Sequence, residues 1–291
     1  MAEVPNASKA GQLPPAVQGT RIDYENTSTW PALEMLRTGR KGHRPERSDD
    51  LDGREVVLDT AASRVSYQFG TDGEVEWIRS SGTAQQHKGR GRAEVFMIAD
   101  RLYVTHVDDV VDGAAARTVV LDLARGWAVA AICSVTGPSG ETAIAQEFTV
   151  APINGRPPVG QAPSLTSELV GRRVRYDYGD GSVYEHLYLT PHLFTWLCLA
   201  GTERGLADTE VCAAYRIRRA IYLFSWREKV VPCAGVVLID LDRRRTCGSF
   251  LGLDNKSHPL FFTWGAQATE LARVRYPAAL DPAHWRPAAT G

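Results

Sequence analysis

Two tyrosines and one glutamate in the second half of the chain have side chains suited to acid–base chemistry. Tyr176 and Tyr178 are two residues apart in a strand-like run, so both hydroxyls are expected on one face, aimed at one substrate oxygen. Glu210 begins an apolar run, where burial would raise the pKa of its carboxyl toward neutral pH and suit it to proton transfer. The simpler alternatives are that the tyrosines are core aromatics and that Glu210 is a charge on a rim.

An apolar, largely aromatic wall is expected around these three side chains. The candidate ligand-binding residues are Tyr184, His186, Trp196, Leu197, Cys212, Tyr222, Phe224 and Trp226. The aromatic members could equally pack a core, and His186 could either relay a proton or be structural. Glu228 precedes Lys229 at the end of a strand, so we expect it in an ion pair rather than in catalysis.

The elements that must position these residues are strands. Residues 208–241 have the pattern of three consecutive antiparallel strands, and residues 221–228 form the middle one. Both faces of that middle strand carry large apolar groups, so both faces should be covered. A barrel with an internal pocket on one side and a second domain packed on the other would cover them.

The strand pattern occurs twice. Residues near 51–123 recur near 169–241 at a spacing of 118 or 119 residues, as in Trp77 and Trp196 or Asp122 and Asp240. This spacing indicates two copies of one all-β unit. Copy one has Leu58, Thr60 and Gly91 where copy two has Tyr176, Tyr178 and Glu210. A single site would therefore lie in copy two.

Helix and linker signals in the sequence suggest where the domains begin and end. A short N-terminal helix is expected, with Thr29 as its cap, Leu33 and Leu36 on one face and Gly39 at its end. The Pro- and Gly-rich residues 151–164 are the best linker. The expected division is a disordered N-terminus with the short helix (1–45), an N-terminal barrel (46–153), a C-terminal barrel (165–275) and a tail (276–291).

Charge and motif content exclude several classes of function. The 33 basic and 34 acidic residues are balanced, which argues against nucleic acid or an acidic membrane as a partner. Five scattered cysteines form no CxxC pair, so we expect no metal, no cofactor and no disulfide framework. With no signal peptide and no long apolar run, the expected location is the cytoplasm. The Gly- and Arg-rich residues 88–92 are expected in a solvated hairpin loop, and His106 is expected at the surface.

Three segments of copy two together resemble the C-terminal half of the MoaF family. They are GRRVRYDYGDGSVYEHLYL, FTWLCLAGTERGLADTE and AIYLFSWREKVVP. The resemblance runs from about Trp30 and is weaker in copy one. It implies tandem relatives of the calycin or lipocalin-like barrels.

A more distant similarity connects copy two with phenolic acid decarboxylases. The positions that carry this similarity are Gly171, Tyr176, Tyr178, Gly181, Tyr184, Glu185, Glu210, Tyr222, Trp226 and Glu228. In those enzymes two tyrosines and an arginine surround the substrate carboxylate, and a glutamate acts on the phenol. The arginine position corresponds to Leu197 here. The similarity therefore implies the pocket but not that decarboxylation.

The sequence thus predicts an all-β protein of two tandem lipocalin-like (calycin) antiparallel β-barrels with a short N-terminal helix. The leading hypothesis is a cofactor-independent lyase, isomerase or cyclase that acts on a small, largely apolar or aromatic metabolite in the C-terminal barrel, in biosynthetic or degradative metabolism. One alternative is a non-catalytic tandem calycin that carries a small hydrophobic ligand. Another is a scaffold whose barrels are both filled by side chains. The sequence leaves open whether the chain forms a homodimer.

Overall fold

Antiparallel strands make up most of the chain in the computed structural model, which describes residues 24–37, 42–81, 85–109, 114–136 and 143–285. The described helices are α1 (Leu33–Arg37) and three 3-10 turns at Thr27–Thr29, Ala278–Leu280 and Pro282–His284. Residues 1–23, Gly39, Gly82 and residues 286–291 lie outside the described residues, and so do the expectations attached to them. Within the described part of the chain, no helix has the length and apolar character that crossing a bilayer requires.

The first sheet is an eight-stranded meander in which each strand pairs with the next along the chain. Its strands are β1 (Glu55–Asp59), β2 (Arg64–Phe69), β3 (Glu74–Ser81), β4 (Gln85–Ala99), β5 (Leu102–Asp109), β6 (Ala115–Asp122), β7 (Trp127–Thr136) and β8 (Ala143–Pro152). The sheet curls until its ends meet at an antiparallel bridge between Leu58 and Ile153. The amide of Val57 also donates to the side-chain oxygen of Asn154 at 2.8 Å, which strengthens this closure.

The second sheet closes into a barrel. Its strands are β9 (Ser164–Leu165), β10 (Arg172–Asp177), β11 (Val183–Tyr188), β12 (Leu193–Ala200), β13 (Ala207–Arg218), β14 (Ile221–Glu228), β15 (Cys233–Asp240), β16 (Arg245–Leu253) and β17 (Pro259–Arg273). Strand β10 pairs with β17, and β12 pairs with β13, so β10–β17 form a continuous ring. Strand β9 adds to the edge of β13 outside the ring. The predicted fold class, two tandem antiparallel barrels with a short N-terminal helix, is confirmed.

Three apolar clusters follow from the alternation of side chains along these strands. One fills the N-terminal barrel and one fills the C-terminal barrel. The third lies between the barrels, where Ile98 and Val120 of the first pack with Leu223 and Leu238 of the second. Strand β14 serves two clusters, because Leu223 faces the other barrel while Phe224 faces the interior. The expectation that both faces of this strand are covered is confirmed.

Polar contacts also join the two barrels. Arg218 of the second barrel donates to both carboxylate oxygens of Asp122 in the first, at 2.8 and 2.7 Å. Arg44 donates to Glu94 at 3.1 Å and to Thr263 at 2.6 Å, which connects the N-terminal segment to both sheets. Each buried carboxylate at this interface therefore has a guanidinium partner.

The N-terminal segment covers one end of the C-terminal barrel. The rings of Trp30 and Trp196 meet edge to face at 5.9 Å, and Leu33 and Leu36 of α1 are buried in the barrel's apolar cluster. The helix begins at Leu33 rather than directly after the expected cap at Thr29. Trp30 is extended because it precedes Pro31, and a residue in that position avoids the helical region.

Candidate functional site

The interior of the C-terminal barrel is packed with aromatic rings around a small cavity. The cavity measures about 20 Å³, which is room for about one water molecule. The cavity is lined by Leu36, Tyr178, Tyr184, His186, Trp196, Glu203, Trp226, Glu228 and Phe250. It lies at the barrel end that α1 covers, and Leu36 of α1 forms part of its wall.

Two carboxylates face this cavity from among the aromatic rings. The Tyr184 hydroxyl donates to Glu203 Oε2 at 2.5 Å, and the Trp226 indole Nε1–H donates to Glu228 Oε1 at 2.9 Å. Glu203 is buried although it lies in a loop. The loop turns inward because Gly201 and Gly205 on either side adopt positive φ angles of 111° and 92°.

The two tyrosines of the sequence prediction point to different places. Tyr178 lines the cavity, and its ring lies 5.3 Å from that of Trp264. The Tyr176 hydroxyl instead lies 2.6 Å from the Tyr188 hydroxyl, and Tyr176 does not line the cavity. Burial raises the pKa of Tyr176, and the bond to Tyr188 only partly offsets that rise. The Tyr176 hydroxyl is therefore hydrogen-bonded to Tyr188, whereas Tyr178 lines the cavity.

Glu210 is buried on β13, opposite Phe194 of β12, but it does not line the cavity. Its Oε1 accepts from the Lys229 amide at 3.4 Å and lies 3.5 Å from Lys229 Nζ. Burial raises the pKa of Glu210 to about 7, although the Lys229 ammonium opposes the rise and Asp208 reinforces it. A carboxyl with this pKa can both take up and release a proton near neutral pH.

The predicted ligand-binding residues divide into two groups. Tyr184, His186, Trp196 and Trp226 meet at the cavity, so the structure brings these four together. The other four, which do not line the cavity, are Leu197, Cys212, Tyr222 and Phe224.

These four residues take other positions in the C-terminal barrel. Phe224 packs in the aromatic interior, 5.0 Å from the ring of Phe194. The Tyr222 hydroxyl donates to Glu168 at 2.7 Å, at the opposite end of β14 from Glu228. Burial raises the pKa of the half-buried Cys212 to about 12. Leu197 alternates with the inward-facing residues of β12 and therefore lies on the outer face.

Sequence reasoning missed the two carboxylates that face the cavity. The sequence analysis does not single out Glu203, which lies within the segment FTWLCLAGTERGLADTE, and it expects Glu228 in an ion pair. The available signals were the glycines on both sides of Glu203 and the spacing of Glu228, two residues after the inward-facing Trp226. Neither signal shows that a loop folds back over the end of a barrel.

The N-terminal barrel has a different polar interior. Arg117 donates to Asp109 Oδ2 at 3.2 and 3.3 Å, and its guanidinium lies 3.8 Å from the Trp77 ring centroid. Both charged side chains are buried. This arrangement is an internal ion pair stacked on an aromatic ring, so the two copies differ in chemistry as the sequence predicts. Among the described residues, no cluster of three or more His, Cys, Asp or Glu side chains is arranged to hold a metal ion.

Comparison with known proteins identifies both halves. Residues 28–136 match the model of the MoaF N-terminal domain, and residues 163–274 match that of the MoaF C-terminal domain. The protein MoaF of Klebsiella aerogenes is 41% identical over 111 residues, which are 38% of this chain and 42% of that protein. The match thus spans less than half of the relative.

A solved structure from Burkholderia vietnamiensis, titled a putative beta-lactamase, was also found. The alignment covers 36% of this chain and 96% of that one, and the two are 13% identical in sequence. Its TM-score of 0.31 does not establish a shared fold. The two domain matches, in the order of the two barrels, confirm the resemblance found in the sequence. The chain belongs to the MoaF family.

Proposed function

We propose that the C-terminal barrel binds a small, largely apolar or aromatic metabolite and carries out a cofactor-independent acid–base step on it, of the lyase, isomerase or cyclase kind. The observation that supports this proposal most is the pair of carboxylates, Glu203 and Glu228, held against Tyr184 and Trp226 in an otherwise aromatic interior. Glu203 is buried, and burying a carboxylate costs free energy, so a barrel that served only for packing would do better with an apolar residue there.

Ligand entry requires the N-terminal segment to move. The cavity of about 20 Å³ is too small for a metabolite, and Leu36 of α1 forms part of its wall. The segment is held mainly by the apolar contacts of Trp30, Leu33 and Leu36, without a long helix to stiffen it. Displacing these three side chains would open the aromatic interior from the end where the carboxylates lie.

The polar groups supply a proton acceptor and a proton donor. Glu203 would accept a proton from the bound molecule, while the Tyr184 hydroxyl would turn from Glu203 to an oxygen of the substrate. Glu210 would exchange protons with solvent at neutral pH, because its pKa is about 7 and it contacts Lys229 at the edge of the barrel. Exclusion of water by the closed α1 segment would strengthen each of these interactions.

The test uses three single variants with one matched control. Glu203→Gln, Glu228→Gln and Glu210→Gln each keep the shape of the side chain and remove its acid–base capacity, and Glu74→Gln changes an exposed glutamate of the other barrel. The wild-type protein is incubated with a panel of small aromatic and conjugated carbonyl compounds, and products are detected by mass spectrometry. Glu203→Gln should lower turnover by about 100-fold or more, as expected when a general acid–base group is removed. Turnover unchanged in all three variants would end the catalytic proposal.

The second candidate function is a non-catalytic carrier. It is favoured by the Tyr176–Tyr188 hydrogen bond, which already engages one of the two hydroxyls expected to act on a substrate. A carrier predicts saturable uptake with recovery of the ligand at unchanged mass. A chain that takes up no compound even when α1 is destabilised would support the scaffold alternative instead.

A further inference from the structure

Four arginines line a pocket at the other end of the C-terminal barrel from the cavity. This pocket, here called the linker pocket, measures about 420 Å³ and lies between the segment that joins the barrels and the end of β13. The pocket is lined by Arg125, Val159, Gly160, Gln161, Ala162, Ser164, Arg216, Ile217, Arg218 and Arg219. None of these lining residues is acidic, so the wall offers positive charge, an amide and a hydroxyl.

Three of these arginines are paired with acidic residues. Arg216 contacts Glu168 at 3.1 Å, and Arg219 contacts Asp242 at 2.9 Å. Arg218 is held by both oxygens of Asp122, which fixes it in the wall. These carboxylates orient the guanidinium groups and do not themselves line the pocket.

Several N–H groups of these arginines remain free to donate after the ion pairs with the carboxylates are taken into account. A guanidinium carries five N–H donors, and Arg216 and Arg219 each use one nitrogen in their ion pairs. The Arg125 guanidinium is 4.0 Å from Asp122, beyond hydrogen-bond distance. Three arginine heads therefore keep donors that a second anion could engage.

Three of the four arginines belong to copy two, and the fourth, Arg125, lies in the β6–β7 turn of copy one. By the repeat spacing, copy one has Met97, Ala99 and Asp100 where copy two has Arg216, Arg218 and Arg219. Copy one therefore forms its barrel without counterparts of Arg216, Arg218 and Arg219. Their concentration beside a concave surface calls for a function at that surface.

We infer that the linker pocket binds the dianionic phosphate group of a small phosphorylated molecule. Several guanidinium forks around one concavity match the charge and the tetrahedral oxygens of a phosphate better than a single carboxylate does. The volume fits a phosphate with a compact organic group attached, and the pocket's concave shape favours a small molecule over a polymer. Because Arg216 and Arg218 lie at the opposite end of the barrel from Glu203, this inference does not depend on the proposed acid–base site.

Isothermal titration at constant ionic strength tests the inference, with inorganic phosphate and ribose 5-phosphate as probes. The double variant Arg125→Gln with Arg219→Gln removes two exposed guanidinium groups from the pocket. The control, Arg64→Gln with Arg90→Gln, removes two exposed, ion-paired arginines from the first barrel. Urea unfolding shows whether each double variant remains folded.

Saturable binding of one ribose 5-phosphate per chain is expected for the wild type and for the control. The pocket variant should bind at least about tenfold more weakly, equivalent to about 1.4 kcal/mol. Malonate, a dicarboxylate, should bind at least tenfold more weakly than ribose 5-phosphate to the wild type. The inference is overturned by absence of saturable binding, by equal weakening in the control, or by equal affinity for malonate.

Discussion

The Tyr184 hydroxyl donates a 2.5 Å hydrogen bond to Glu203 Oε2 inside the C-terminal barrel, where both residues are buried. This bond connects a strand residue of β11 to the loop after β12, so it fixes the loop at the covered end of the barrel. A hydrogen bond to a carboxylate in such surroundings is stronger than one between neutral groups. We therefore expect the bond to contribute to stability as well as to the proposed chemistry.

Tyr184→Phe is expected to lower the free energy of unfolding by about 1.5–3 kcal/mol, because a buried carboxylate loses a hydrogen-bond donor. Glu203→Gln should cost less, since the amide oxygen can still accept from Tyr184. Urea unfolding of both single variants and of the double variant gives the coupling energy. Tyr276→Phe, at an exposed tyrosine, is the matched control. A Tyr184→Phe variant as stable as this control would show that the bond contributes nothing.

Glu210 is expected to make the folded state less stable as pH rises. Its pKa is about 7 when folded, against an ordinary value of 4.5, so between these pH values the folded chain holds a proton that the unfolded chain has lost. Stability from this group is complete below pH 4.5 and is lost as pH rises through 7. The size is about 1–2 kcal/mol once the partial contact with water and the nearby charges are allowed for.

The measurement is urea unfolding between pH 5 and pH 8 for the wild type, Glu210→Gln and the control Glu74→Gln. Glu210→Gln should flatten the fall in stability across this range, and Glu74→Gln should leave it unchanged. Equal slopes for the wild type and Glu210→Gln would contradict the raised pKa.

Gly235 makes room for the indole that holds Glu228. It lies directly opposite Trp226 in the β14–β15 ladder, and an added Cβ would come within 2.3 Å of the Trp226 ring. Gly248 lies opposite Trp264 in the same way, at 2.5 Å. Each change to alanine is expected to cost about 1–3 kcal/mol through overpacking.

Only Gly235→Ala should disturb the bond between Trp226 Nε1 and Glu228. The indole N–H resonance of Trp226 in a two-dimensional NMR spectrum reports that bond. We expect a larger shift of this resonance in Gly235→Ala than in Gly248→Ala. The reverse order would show that Gly235 does not position the indole.

The sequence does predict which way the side chains of a single strand face and that the chain contains two similar units. The alternation along β14 predicts that Phe224 faces an interior and Leu223 an outer apolar contact, and both predictions are confirmed. The repeat spacing predicts two all-β units, because each copy must place its own strand residues at the same register. These inferences need only the period of two and the internal comparison.

The sequence does not predict contacts between strands that are far apart along the chain. Residues 88–92 were expected in a loop because of their glycines, but they lie within β4, where Gly89 accommodates the ring of Trp77. His106 was expected at the surface, but it is buried between the barrels, with Nδ1 2.9 Å from Thr118 Oγ1. Both errors have one cause: a single strand does not show what lies across the sheet or on its outer face.

The central claim is that the C-terminal barrel admits an aromatic molecule when the α1 segment moves. The most direct measurement is a stopped-flow titration with the neutral fluorescent probe N-phenyl-1-naphthylamine, which compares Leu36→Ala with Met35→Ala. Leu36 forms part of the cavity wall, whereas Met35 of the same helix is 55% exposed. We predict saturable uptake of one probe per chain, with faster association in Leu36→Ala and an unchanged rate in Met35→Ala. Absence of saturable uptake, or equal association rates in the two variants, would contradict the account.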